Sequence, residues 1–279
     1  MDSLMPDEMA EIAEEAGIKK VKRRFSKTLV LAILAGAFIS FGAIFATTVT
    51  ADLTLSHSFT KLIGGLAFSL GLILVIVGGA ELFTGNNLIV MAWANKRIKT
   101  SQVLKNWSIV FFGNFVGAIS IVVLMFYSQQ YSSGTGGIGA KALSIAETKC
   151  SLGFIQAVVL GIFCNMLVCL AVWLCYSAKT TSGKILSILF PITAFVAAGF
   201  EHSIANMYFI PKALLIKSYA TGEFWAGINS SSEMYENLTW SNFIVNNLIP
   251  VTIGNIIGGA VLVGFVYWFV YLKGSKREL

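Results

Sequence analysis

Long apolar segments alternate with short polar connections along this chain of 279 residues. A membrane-spanning helix needs about 20 apolar residues. Six segments reach that length, at 28–50, 60–95, 106–128, 152–177, 184–218 and 241–272. The pattern predicts an all-α membrane protein with six transmembrane helices in a domain over 28–273. An N-terminal segment, 1–27, and a tail, 274–279, flank that domain.

The second and fifth segments are too long for one span, and related phrases interrupt them. GAELFTGNN occupies 79–87 and GFEHSIANM occupies 199–207. A second pair follows in the same order, GNFVG at 113–117 and GNIIG at 254–258, with the small-xxx-small spacing of closely packed helices. Spans one to three and four to six are therefore related. Because three is odd, the halves insert oppositely, which predicts an inverted 3+3 repeat with helices 2 and 5 broken at mid-membrane.

Composition and charge agree with a membrane location. Hydrophobic residues make up 56% of the chain and charged residues 12%, against about 25% charged in soluble domains. All but five of the 20 Lys and Arg residues fall on the inside if both termini are cytoplasmic. Topology thus explains the net charge of +6 without a nucleic-acid partner. Residues 7–24 are expected to form either an amphipathic helix on the inner surface or a solvated cap.

Two carboxylates lie at membrane depth, Glu81 and Glu201, one in each repeated phrase. A charge there costs at least ~2.5–3.5 kcal/mol on insertion scales, so it needs partners. Where a helix breaks, backbone N–H groups lose their acceptors. We expect both glutamates to accept these hydrogen bonds and to support the breaks. A direct role in binding substrate is the alternative, which an anionic substrate would disfavour.

His202 lies beside Glu201 in the second phrase, whereas His57 is expected in an outside loop. A lone buried histidine is commonly a structural residue, but transport sites form at such helix breaks. The half-helices that start there direct their positive dipole ends inward, which favours an anion. An imidazole can also transfer a proton near neutral pH. The four cysteines lack disulfide or zinc spacing, and neither a metal nor a cofactor is expected.

The two phrases, with GIFCNMLVCLAVW at 161–173 and NLIPVTIGNIIGG at 247–259, resemble the formate/nitrite transporter family, and the last two resemble its formate channels in particular. The resemblance covers nearly the whole chain. It implies an aquaporin-like protomer, a homopentamer with one pore per protomer, and a bacterial cytoplasmic membrane. It also implies a small anion as substrate: formate first, with nitrite or hydrosulfide as the alternative.

The resemblance also implies roles for individual residues. The central site would hold His202, Thr84, Asn165 and Asn255, and Lys149 would lie in the outer vestibule. Constriction and gate residues would be Leu82, Phe83, Phe68, Leu72 and Phe195. Without the resemblance, the spacing of Phe68, Leu72 and Phe195 would indicate core packing. Thr84 is also consistent with a helix cap. Protonated His202 would pair with the anion and then give it a proton.

Two other classes of function stay open on the residues alone. A membrane enzyme is disfavoured because the chain has no HExxH, no Gly-x-Ser-x-Gly and no nucleotide-binding loop. A non-conducting sensor is disfavoured because broken membrane helices are tolerated where they line a cavity. Together with the resemblance, this makes the predicted partners a small anion, the lipid bilayer and further copies of the chain.

Overall fold

The computed structural model describes residues 3–274, and the predicted all-α class is confirmed. Within that range the only β-type pairing is an isolated bridge between Ser3 and Ala178. The helices are α1 (Pro6–Lys22), α2 (Phe25–Thr50), α3 (His57–Gly78), α4 (Val90–Ala94), α5 (Thr100–Tyr127), α6 (Gly137–Cys150), α7 (Phe154–Ser177), α8 (Thr181–Ala197), α9 (Ser203–Tyr219), α10 (Gly222–Gly227) and α11 (Trp240–Leu272). Helix α11 contains several π-helical turns. The predicted tail lies, apart from Gly274, outside the described residues.

Five of these helices are long and apolar enough to cross a membrane: α2, α3, α5, α7 and α11. Helix α8 is apolar too, but it has 17 residues. Large apolar side chains such as Phe112, Phe190 and Phe269 stay at least 60% exposed, as lipid-facing side chains would be. Four of the helices start clearly earlier than predicted: α2 at residue 25, α3 at 57, α5 at 100 and α8 at 181. The first turns of these helices are polar, so the apolar pattern in the sequence does not extend to their first residues.

Glycines bring two pairs of long helices into close contact. A Cβ on Gly117 of α5 would lie 2.0 Å from the Ile33 carbonyl oxygen of α2. A Cβ on Gly258 of α11 would lie 2.1 Å from the Ile162 carbonyl oxygen of α7. Both distances are too short for any side chain, so the small-xxx-small motifs set these helix contacts.

Both predicted long segments are interrupted inside the repeated phrases. Helix α3 ends at Gly79, whose φ of +81° closes the helix in the left-handed region. The chain then runs without helix to a 3₁₀ turn at Gly85–Ile89, which leads into α4. Helix α8 is followed by Gly199, with a φ of +73°, and α9 begins at Ser203. Each glycine permits a conformation that other residues adopt at a cost.

The helix expected over residues 7–24 is present as α1, but it packs against the rest of the protein, so the alternative of a solvated cap is wrong. Its buried face carries Met9, Ala13 and Glu14 and contacts α4, α7 and the 3₁₀ turn. Glu14 accepts a hydrogen bond from Asn95 Nδ2 at 2.6 Å and pairs with Arg97 at 3.3 Å. One side of α1 therefore makes a protein contact that the sequence alone did not predict.

Candidate functional site

A cavity of about 460 Å³ opens between α3, α6, α8 and α9. Along α3 its lining descends from His57 through Lys61 to Phe68. Its floor includes Glu201 and His202. His57 is the first residue of α3, so its expected position in a loop was wrong. The part of this cavity near His57 and Lys61, which Lys141 and Lys149 of α6 also line, is called the outer vestibule below.

Three aromatic rings line the same cavity as His202 and the vestibule lysines. The ring centroids of Phe68 and Phe195 are 5.6 Å apart in an edge-to-face arrangement. Phe195 also stacks on the His202 ring at 6.0 Å, and Phe209 stacks on Phe68 at 6.3 Å. We call Phe68, Phe195 and Phe209 the aromatic collar. All three rings line the cavity, and Phe195 contacts the imidazole directly.

The hydrogen bonds of His202 define its tautomer. The Ala205 N–H donates to His202 Nδ1 at 3.1 Å, so Nδ1 carries no proton and caps α9. The proton of the neutral ring is therefore on Nε2. That Nε2–H lies 3.0 Å from Thr84 Oγ1, to which it donates. Because Thr84 Oγ1 accepts this bond, its own hydroxyl proton remains available to another acceptor.

Thr84 lies in the first helix break, residues 79–84 between α3 and the 3₁₀ turn. His202 lies in the second break, residues 198–202 between α8 and α9, and Asn165 of α7 supports the junction of the two. The Asn165 Nδ2 group is 2.7 Å from the Asn255 carbonyl oxygen and 3.3 Å from that of Thr84. It also lies 2.8 Å from Asn87 Oδ1. These five residues are buried, with His202 the most exposed at 3%. The structure thus brings together all four residues predicted for the central site.

Asn114 of α5 holds the first break. Its Nδ2 donates to the carbonyl oxygens of Ala32 at 2.7 Å and Glu81 at 2.9 Å. Its Oδ1 accepts from the Phe83 N–H at 2.9 Å. One buried side chain therefore bonds to two backbone groups of the break and also ties the break to the Ala32 carbonyl oxygen of α2.

Asn255 of α11 does the same for the second break. Its Nδ2 donates to the carbonyl oxygens of Gly161 at 2.8 Å and Glu201 at 3.0 Å. Its Oδ1 accepts from the Ser203 N–H at 3.0 Å. The two sets of contacts match residue for residue. The prediction that the glutamate carboxylates accept the free backbone N–H groups was therefore wrong, since asparagines have that role.

The two glutamates instead bind side chains, again in matched sets. Glu81 pairs with Lys20 at 2.9 Å and with Arg23, and it accepts from Asn86 Nδ2 at 2.7 Å. Ion pairs and amide donors compensate a buried carboxylate that would otherwise be costly. Lys20 belongs to α1, so α1 is fixed to the first break by charge as well as by packing.

At the second break, Glu201 pairs with Lys149 at 2.7 Å and accepts from Asn206 Nδ2 at 2.7 Å. Asn247 Nδ2 approaches the same carboxylate at 3.2 Å. Lys149 lines the cavity as predicted, but its charge is partly compensated by Glu201. The remaining vestibule cations, Lys61 and Lys141, were not predicted as site residues.

Three predicted constriction residues lie away from the cavity lining. Phe83 packs edge-on against Phe111 at 5.0 Å and Trp107 at 6.0 Å. Leu72 and Leu82 are buried in the main hydrophobic core with it. Leu82 follows Glu81 as His202 follows Glu201, so the imidazole is present in one of the two breaks only.

Some functional candidates had a signal in the sequence and others had none. The Asn of each GNxxG motif marks Asn114 as the counterpart of Asn255, a correspondence that could have identified it. Phe209 had no such signal because an aromatic residue in an apolar helix is ordinarily core. Within residues 3–274, no group of His, Cys, Asp and Glu side chains could hold a metal ion.

Comparison with known proteins places this geometry in a family. The family model described as formate/nitrite transporter matches residues 7–269. The formate channel FocA of Escherichia coli (strain K12) is 49% identical over 278 residues, covering 99% of this chain and 98% of that protein. The formate channel FocA of Haemophilus influenzae is 41% identical over 263 residues, covering 94% of this chain and 93% of that protein.

Solved structures give the same result. A "pentameric formate channel with formate bound" superposes with a TM-score of 0.83 at 43% identity, covering 89% of this chain and 98% of that one. An "FNT family ion channel" superposes with a TM-score of 0.78 at 26% identity, covering 94% and 98%. The resemblance stated from the sequence is thereby confirmed, and the chain belongs to the formate/nitrite transporter family of multi-pass membrane channels and transporters, not to an enzyme family.

Proposed function

We propose that this protein is a membrane channel for a small monovalent anion, with formate as its main substrate. One observation carries the proposal: a buried hydrogen bond from His202 Nε2 to Thr84 Oγ1 joins two helix breaks at the floor of a lysine-lined cavity. Polar groups at membrane depth are costly, and they are retained where a substrate path needs them. The formate channels among the relatives support formate over other anions.

The proposed topology has six spans in an inverted 3+3 repeat, with the termini in the cytoplasm. Helices α8 and α9, separated by the second break, would together form the fifth span, and α3 with α4 the second. The matched hydrogen-bond sets of Asn114 and Asn255 support the repeat. The distribution of Lys and Arg supports the orientation. The pentameric relative supports an aquaporin-like protomer within a homopentamer.

Conduction would begin in the outer vestibule. Ammonium groups of Lys61, Lys141 and Lys149 raise the local concentration of an anion there. The anion then sheds water at the aromatic collar, which is costly for a full charge. Below the collar, the hydroxyl proton of Thr84 and the Nε2–H of His202 can donate to it. These donors offset part of the lost hydration.

Proton transfer from His202 would require a local rearrangement. The observed ring is neutral and has its one proton on Nε2. Giving that proton to the anion would leave an imidazolate unless Nδ1 were protonated first. Protonation of Nδ1 removes the acceptor of the Ala205 N–H and thus the cap of α9. We therefore propose that any protonation of the anion by His202 is coupled to opening of the first turn of α9.

The inner side of the path would be controlled by the first break. Leu82 is the proposed inner constriction, and residues 81–86 form the candidate gate. Lys20 and Arg23 tie α1 to Glu81 at this point. We propose that Phe83 supports this gate by packing, since its ring lies against Trp107 and Phe111.

Uptake into proteoliposomes tests the function. Formate, nitrite and hydrosulfide are offered separately at several pH values, with protein-free liposomes as the control. Faster formate uptake than in the control supports the proposal, and a clear lead for nitrite or hydrosulfide would replace formate as the main substrate. Absence of flux for all three contradicts a conducting role and leaves a sensor.

A further inference from the structure

Three ammonium groups line one side of the outer vestibule, and they are not equally compensated. Lys141 and Lys149 both lie close enough to Lys61 to repel its positive charge. Lys149 has Glu201 at 2.7 Å. Within residues 3–274, neither Lys61 nor Lys141 has a carboxylate at ion-pair distance. Two positive charges therefore face the same cavity without an ion-pairing carboxylate of their own.

We propose that the outer vestibule binds short dicarboxylates, such as malonate, and that these dianions block the channel from this side. A dianion can place one carboxylate near Lys61 and the other near Lys141, forming charge-assisted hydrogen bonds with both. A monoanion such as formate compensates the charge of only one of these two lysines. This inference rests on the proposed function for its flux assay, but the binding site itself does not depend on conduction.

The size of the cavity permits binding, and the collar prevents passage. The cavity that includes the outer vestibule has a volume of about 460 Å³, which is within the range of small-molecule sites. It exceeds what a two-atom or three-atom anion needs. The Phe68 and Phe195 rings, 5.6 Å apart, line the same cavity and form the proposed apolar step between the lysines and His202. Stripping water from two charges costs far more than from one, because the solvation energy of an ion rises with the square of its charge.

Formate current through single channels in planar bilayers tests the block. Malonate is added to one side and then to the other, and propionate at equal ionic strength serves as the monoanion control. We expect malonate to reduce the current from the vestibule side only, and propionate to have little effect. Block from both sides equally, or equal block by propionate, would overturn the proposal.

Charge-removing variants locate the site. Lys141→Gln should raise the half-blocking malonate concentration about tenfold relative to its own formate current, since one charge-assisted contact is lost. Lys105→Gln makes the same charge change on the exposed surface of α5 and should leave the block at the wild-type level. An unchanged block in Lys141→Gln would overturn the proposal.

Calorimetric titration of purified protein with malonate separates this inference from the proposed function. Binding that weakens in Lys141→Gln, but not in Lys105→Gln, supports the dianion site whether or not formate is conducted. Formate flux without malonate binding would contradict the inference and leave the proposed function intact. Malonate binding without any formate flux would support the inference and contradict the proposed function.

Discussion

Replacing Asn255 by leucine removes three hydrogen bonds at one point and keeps the branched shape of the side chain. The lost bonds join Asn255 to Gly161, Glu201 and Ser203, at 2.8–3.0 Å. Hydrogen bonds between membrane helices average ~0.6 kcal/mol and reach ~1.7 kcal/mol. Three such bonds give an expected loss of about 2–5 kcal/mol in the free energy of unfolding.

Asn246→Leu is the matched control, because it makes the same substitution in the same helix. Asn246 Nδ2 makes one hydrogen bond, at 3.0 Å, to Asn242 within α11, and its side chain is partly exposed. Its loss should cost less than about 1 kcal/mol. Because Asn114 makes the corresponding three bonds at the first break, Asn114→Leu should cost about as much as Asn255→Leu.

Unfolding by titration with SDS in mixed micelles, followed by circular dichroism, measures these differences. The expected order of stability is wild type, then Asn246→Leu, then the two break variants at a similar, lower level. If Asn255→Leu cost no more than Asn246→Leu, the asparagine would not hold the break, and the account of both breaks would be refuted.

Further predictions concern single residues. Lys212 is buried and its Nζ has no hydrogen-bond partner within residues 3–274, so Lys212→Met should stabilise the protein by about 1–4 kcal/mol. In the same SDS titration Lys217→Met should destabilise it, because Lys217 donates to two backbone carbonyls, at 2.6 and 3.0 Å. Gly258→Ala should reduce folded yield in gel filtration, whereas Gly153→Ala, where a Cβ meets nothing within 4 Å, should not. Burial raises the pKa of the Cys150 thiol to about 12, so the reactive thiolate is scarce at pH 8. Maleimide should therefore label Cys150 in the unfolded protein only, which mass spectrometry can check.

The sequence predicted the elements whose physical requirements are strict. Only glycine fits the close helix contacts at Gly117 and Gly258, and a carboxylate at membrane depth needs partners, so these residues could be recognised from type and position. The need of a carboxylate for partners identified Glu81 and Glu201. The repeat of the two phrases then indicated which of the neighbouring residues correspond, and that His202 is present in the second phrase only.

The details that the sequence left open depend on contacts between distant segments. Nothing in residues 7–24 alone shows that Lys20 reaches Glu81, because that ion pair depends on how α1 packs against α4. Apolar residues are equally ambiguous. Phe83 and Phe195 occupy similar apolar surroundings in the sequence, but one packs against α5 and the other covers His202.

Formate uptake by Thr84→Val in proteoliposomes tests the central claim most directly. The substitution removes the hydroxyl that accepts from His202 and that would donate to the anion, while keeping the shape of the side chain. Thr252→Val is its control, since the Thr252 hydroxyl bonds to its own helix at the Leu248 carbonyl oxygen, at 2.6 Å. The account predicts at least about tenfold slower uptake in Thr84→Val, for one lost charge-assisted contact, and wild-type uptake in Thr252→Val. Wild-type uptake in both, with both proteins folded, would contradict a substrate path through Thr84 and His202.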